Sequence, residues 1–132
     1  MTNKIGIVVT GHEFFSSGLL SAMETMVGPQ DSLFSVCYKK TDTPEALETR
    51  IRSAFKDLME DSHSIIVLTD FPFGTPMQVA SMAAQEYPHV KIIGGANLPM
   101  LCEACTARNK TDKLNEVVES IMEAGKESLM IA

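Results

Sequence analysis

Residues 4–20 read KIGIVVTGHEFFSSGLL, and the fold turns on how this stretch is understood. Its opening run is rich in Ile and Val and lacks polar alternation, the habit of a strand covered on both faces in a parallel sheet. The run stops at Thr10-Gly11-His12, and a helix-like pattern begins a few residues later. In open α/β sheets, ligands sit beyond the carboxyl ends of the strands. A histidine just after the first strand therefore stands in the usual functional crevice, and its ring titrates near neutrality without help. The plainer alternative for His12 is a solvated turn residue or a cap on the next helix.

Outward from this stretch the chain alternates short apolar runs with helical patterns. Residues 5–10 make the first strand, and residues 16–27 a helix with Leu19, Leu20 and Met23 on one face. Gly28-Pro29 ends that helix, because glycine suits a C-terminal cap and proline cannot continue the ladder. Residues 33–38 form a second strand. Thr43-Pro44-Glu45 then supplies an N-cap, a first-turn proline and an early acid, so a helix runs to about residue 59. Its apolar face is Leu47, Ile51, Ala54, Phe55 and Leu58, with Glu48 and Arg52 paired on the wet side. Residues 64–69 are the third strand and lead into Asp70. Thr75 reads as the N-cap of a helix opening with Pro76. Residues 90–93 make a fourth strand, followed by helices at 99–108 and 112–126. The apolar residues 128–132 are either a final strand or a frayed tail.

This β-α-β-α-β-α-β order predicts one α/β domain over residues 1–132, a mainly parallel four-stranded sheet with helices on both faces. Composition agrees. At 132 residues and 45% hydrophobic, the chain holds a core without disulfide or metal staples. A net charge of -6 without a basic cluster argues against nucleic acid as a partner. No signal-peptide pattern and no apolar run of membrane-spanning length point to a cytoplasmic protein. The odd cysteine count speaks against a disulfide framework. Cys37 reads as a small buried hydrophobe. Cys102 and Cys105 lie in a helix already under way, with no second pair to complete a zinc site, so neither metal nor cofactor is expected.

A parallel sheet places all strand ends on one edge, which gathers His12, Asp70 with Thr75, and Asn97. A carboxylate bonded to one imidazole nitrogen fixes the tautomer and leaves the other nitrogen free to attack. Asp70 suits that task, which makes His12 and Asp70 the candidate catalytic pair. The loop after Asp70 ends at a helix start, where free N–H groups and the helix dipole favour an anion such as a phosphoryl group. Gly74 permits close approach, and the Thr75 hydroxyl either caps the helix or donates to a phosphate oxygen. Gly74 and Thr75 are therefore the candidate phosphoryl-binding residues. Phe14, Phe71 and Phe73 are candidates for docking a partner, with core packing as the alternative.

Three segments together carry a family resemblance: Gly11-His12 with Phe15-Ser16-Ser17-Gly18-Leu19; Leu68-Thr69-Asp70 through Gly74-Thr75-Pro76; and Ala96-Asn97-Leu98-Pro99-Met100-Leu101 with Ala107-Arg108. The chain resembles the IIA component of the mannose/fructose/sorbose class of the bacterial phosphoenolpyruvate-dependent sugar phosphotransferase system. The resemblance implies a phosphoryl carrier: His12 takes phosphate from the phosphocarrier protein HPr and hands it to a IIB component, which serves sugar uptake through membrane IIC and IID components. It also implies that Asp70 orients His12, that Thr75 sits by the phosphoryl group, and that the protein is a homodimer with a fifth, C-terminal strand exchanged at 128–132. Many members carry glycine after the histidine. Glu13 stands here and is expected to point to solvent, since an inward acid repels phosphate. No fused IIB domain is expected after Ala132.

Rival readings differ at named positions. A response-regulator receiver needs acids after the first strand, where Thr10-Gly11-His12 has none, and a histidine phosphatase needs arginine where Gly11 stands. No glycine fingerprint for a nucleotide follows the first strand. The phosphoryl-transfer subunit of dihydroxyacetone kinase and a non-catalytic, phosphorylation-sensing regulatory dimer remain as alternatives.

Overall fold

Every residue of the first strand, β1 (Ile5–His12), is buried except His12 itself, so the unalternating apolar run has the two covered faces it requires. The structure, a computed structural model, describes residues 4–132. After β1 come α1 (Phe15–Val27), β2 (Leu33–Tyr38), α2 (Pro44–Leu58), β3 (Ser64–Thr69), α3 (Thr75–Ala84), β4 (Val90–Ile93), α4 (Leu98–Ala107) and α5 (Leu114–Glu127). The sheet is parallel throughout, in the order β2-β1-β3-β4.

Side chains alternate across the sheet and split the core in two. Ile7, Val9, Ile66 and Leu68 pack with residues of α1, α4 and α5, while Val8, Ile65 and Val67 pack with α2 and α3. Both faces are thus covered, as the sequence predicts. The order also creates a switch point: the chain leaves β1 towards β2 on one side, and leaves β3 towards β4 on the other. The crevice between the carboxyl ends of β1 and β3 is where such a sheet binds ligands.

Several boundaries depart from expectation for identifiable reasons. β1 runs on through Gly11 and His12, because these residues pair with Cys37 and Tyr38 of β2. α1 starts at Phe15 and has no side-chain cap. Gly74, not Thr75, is the N-cap of α3, so Thr75 is its first helical residue. Proline is tolerated anywhere in the first turn, and its position alone does not fix which neighbour caps. Thr43 does cap α2, accepting from the Ala46 amide at 3.1 Å, and Glu48 pairs with Arg52 at 2.8 Å. Residues 129–132 form no strand in this chain, and Leu129, Met130 and Ile131 are 82%, 83% and 98% exposed.

The amino end of the sheet is closed by Arg108, the residue that ends α4. Its guanidinium donates to the carbonyls of Ile5 (3.1 Å), Ser32 (3.0 Å) and Asp31 (2.6 Å) and to Gln30 Oε1 (3.2 Å). Burial lowers its pKa, and only Nε lacks an acceptor. Among the described residues, no helix is long and apolar enough to cross a membrane.

Candidate functional site

His12 is the last residue of β1 and Asp70 the first residue after β3, so their proximity follows from the parallel register of the two strands. The His12 main-chain N–H donates to Asp70 Oδ2 at 2.8 Å, and His12 Nδ1 lies 2.8 Å from the same oxygen. The Phe71 amide donates to Asp70 Oδ1 at 2.7 Å. Burial pushes the Asp70 carboxyl up, but the bonds from the His12 amide, the His12 ring and the Phe71 amide, with the ring's charge, hold it below its ordinary value. The group is therefore ionised at neutral pH and only accepts. In the neutral ring the Nδ1 proton faces it, and the Nε2 lone pair is left uncommitted. Exposure divides the roles: the His12 side chain is 49% exposed and that of Asp70 15%.

Two bare α-carbons make the arrangement fit. A Cβ on Gly11 would stand 2.7 Å from the Phe15 ring and 2.9 Å from Asp70 Cγ, so only glycine lets the carboxylate come this close without a shift. A Cβ on Gly74 would stand 3.2 Å from His12 Cε1, which brings the start of α3 beside the imidazole. The amides of Thr75 and Met77 belong to that first turn and have no acceptor within the helix. Of the described non-glycine residues with positive φ, Glu13 (53°) directly follows His12 and Phe73 (67°) directly precedes Gly74. Phe14, Phe71 and Phe73 are 62%, 66% and 83% exposed, forming an aromatic rim rather than core, with Lys39 Nζ 5.2 Å from the Phe14 ring centroid.

Other expected residues fall elsewhere. Asn97 caps α4, accepting from the Met100 amide at 3.1 Å and donating to Ser128 Oγ at 3.3 Å, so it does not join the His12 cluster. Glu13 is not directed to open solvent: its Oε1 accepts from the Lys40 amide at 2.8 Å. Cys37 is half-buried, its thiol 3.3 Å from Ser16 Oγ. Burial pushes that thiol up, and hydrogen bonds from Ser16, Ser17 and Ser35 outweigh it, lowering the pKa. Burial pushes the Cys105 thiol up to about 11, which suppresses the reactive thiolate. Tyr38 escaped the sequence reading. Its ring meets the His12 ring edge-on, with centroids 5.9 Å apart at 62°. The available signal was its place at the end of β2, on the same edge as His12.

A family profile described as the PTS system fructose IIA component, EIIA-man, matches residues 6–122. The chain belongs to this family. As a IIA component it is 26% identical over 125 residues to the mannose-specific EIIAB component of Escherichia coli strain K12, covering 95% of the chain and 38% of that protein. The chain thus spans well under half of that relative's length. The fructose-specific EIIA component of Bacillus subtilis is 24% identical, over 96% of the chain and 86% of that relative. Among solved structures, EIIA from Streptococcus agalactiae superposes with a TM-score of 0.84 at 28% identity, over 96% of each chain. The IIA protein associated with the fucose utilization operon of Streptococcus pneumoniae gives 0.86 at 26% identity, over 98% of this chain and 94% of that one. The fold and the mannose/fructose class of IIA component therefore stand as the sequence predicts.

Proposed function

We propose that this IIA component is a phosphoryl carrier that loads phosphate from phospho-HPr onto His12 Nε2 and passes it to a IIB component. The observation that carries the reading is the 2.8 Å contact of His12 Nδ1 with Asp70, which leaves the outward nitrogen as the nucleophile. In the transfer, Nε2 attacks phosphorus in line as the bond from phosphorus to the HPr nitrogen breaks and that ring leaves with the electron pair; the Nδ1 proton stays on His12, and Asp70 stabilises the positive charge that the new N–P bond places on the ring. The Thr75 and Met77 amides at the start of α3, with the Thr75 hydroxyl, are assigned to the phosphoryl oxygens, and Gly74 keeps the approach open. The aromatic rim of Phe14, Phe71 and Phe73 is the assigned docking face for HPr and IIB. The same reading gives a cytoplasmic homodimer joined through residues 128–132.

The test is direct. Incubated with phosphoenolpyruvate, enzyme I and HPr, the protein should gain one label that is acid-labile and alkali-stable, as phosphohistidine is. His12→Ala should abolish it with the melting temperature preserved. Label surviving in His12→Ala, or lost in alkali, would refute the assignment.

A further inference from the structure

The residue directly after His12 closes a small ring of hydrogen bonds that the carrier mechanism above does not use. The Glu13 main-chain N–H donates to the Tyr38 carbonyl at 2.7 Å, and the Lys40 amide donates back to Glu13 Oε1 at 2.8 Å. Two bonds of opposite sense thus tie the end of β1 to the turn after β2. The turn is also held from its far side: Asp42 accepts from the Lys39 amide at 2.8 Å and from the Arg50 guanidinium at 2.9 Å. Glu13 adopts φ 53° to make this connection, a conformation that L residues keep only where their surroundings impose it.

What the clasp holds in place is Tyr38, paired in register with His12 and edge-on to its ring. A single hydrogen bond, that of Nδ1 to Asp70, leaves the imidazole free to swing about the axis it defines. Gly74 puts no side chain beside the ring, so the aromatic edge of Tyr38 is what narrows that swing. We propose that Glu13 and Tyr38 are positioning residues for His12: the Glu13 carboxylate clasps the turn after β2, and the clasp holds the Tyr38 ring against the imidazole so that Nε2 keeps its aim. This rests on the phosphoryl-carrier reading. An acid beside the phosphoryl site is then no liability, because its charge is turned onto a backbone amide rather than towards the incoming group.

The experiment compares the full chain with Glu13→Gln, Glu13→Ala, Tyr38→Phe and Tyr38→Leu. Single-turnover transfer from phospho-HPr is followed over a range of HPr concentrations, beside melting temperatures and the nuclear Overhauser contact between the Tyr38 and His12 rings in unphosphorylated protein. Glu13→Ala should lower the maximal rate about five- to tenfold, with the half-saturating HPr concentration within about twofold, because orientation and not docking is lost. It should also weaken the ring contact. Glu13→Gln keeps an acceptor for Lys40 and should transfer like the parent, as should Tyr38→Phe, which keeps the ring. Glu13→Ala with Tyr38→Leu together should be no slower than the slower single change, since both break one arrangement. A full rate in folded Glu13→Ala, an unchanged ring contact, equal losses in Gln and Ala variants, or multiplying effects in the double variant would overturn the proposal. If the parent takes no label, the carrier reading fails, and the ring contact in Glu13→Ala still decides whether the clasp exists.

Discussion

Arg108 and His12 sit at opposite ends of β1, and they treat hydrogen-bonding capacity in opposite ways. Arg108 is 5% exposed and aims its guanidinium at carbonyls of β1 and the turn before β2. His12 commits its amide and Nδ1 to one carboxylate and leaves its remaining nitrogen at a surface that is half open. A group that consumes its bonding capacity internally fixes the fold. One that keeps a single directed lone pair is available for chemistry, and the scaffold serves to aim it.

The comparison breaks first at Arg108. Arg108→Ala strands buried carbonyls and opens a void, so it should destabilise the protein by about 3–5 kcal/mol in urea titration. The fraction still folded should take label at the parental rate. A loss under about 1 kcal/mol would show that water replaces the guanidinium and that the amino end is not the rigid one.

Asp70→Asn should put its larger effect on rate, slowing phosphorylation roughly 10- to 100-fold while lowering the denaturation midpoint less than Arg108→Ala does. It also tests the acid limb. The folded-state pKa of Asp70 lies below its ordinary value, so its contribution to stability is present at neutral pH and fades as pH falls through the acid range. In Asp70→Asn the decline of stability on acidification should be shallower than in the parent. An unchanged slope would remove Asp70 from the groups that couple protonation to folding.

The smallest effect is expected at neither end. Gly18 lies within α1, and an added Cβ there meets nothing within 4 Å. Gly18→Ala should therefore raise stability by about 0.5–1 kcal/mol and leave transfer unchanged. A fall in transfer would extend the functional surface along α1.

Most of this was legible because it is local or follows from parallel order. The unalternating run of β1, the Thr43 cap and the Glu48–Arg52 pair are short-range patterns, and a parallel sheet brings His12 and Asp70 to one edge. The start of α3 was misread because Gly74 and Thr75 are both cap-forming residues ahead of Pro76, and only the backbone at Gly74 decides between them. The Glu13 bond to Lys40 spans 27 residues and leaves no periodic trace. Residues 128–132 are apolar enough for a strand, but pairing requires a neighbouring edge, and none is paired with them here.

The place of β1 between β2 and β3 has a consequence for signalling. A ribbon gripped along both borders has little freedom to bend when something is attached to its tip. On the carrier reading, the loaded and empty forms therefore share one skeleton and differ mainly in the negative potential around a single ring. Amide resonances of Ile7, Val8 and Val9 should hold still on phosphorylation while those of Phe71 to Met77 move. Proteins that visit this molecule would then tell its two states apart by charge rather than by shape.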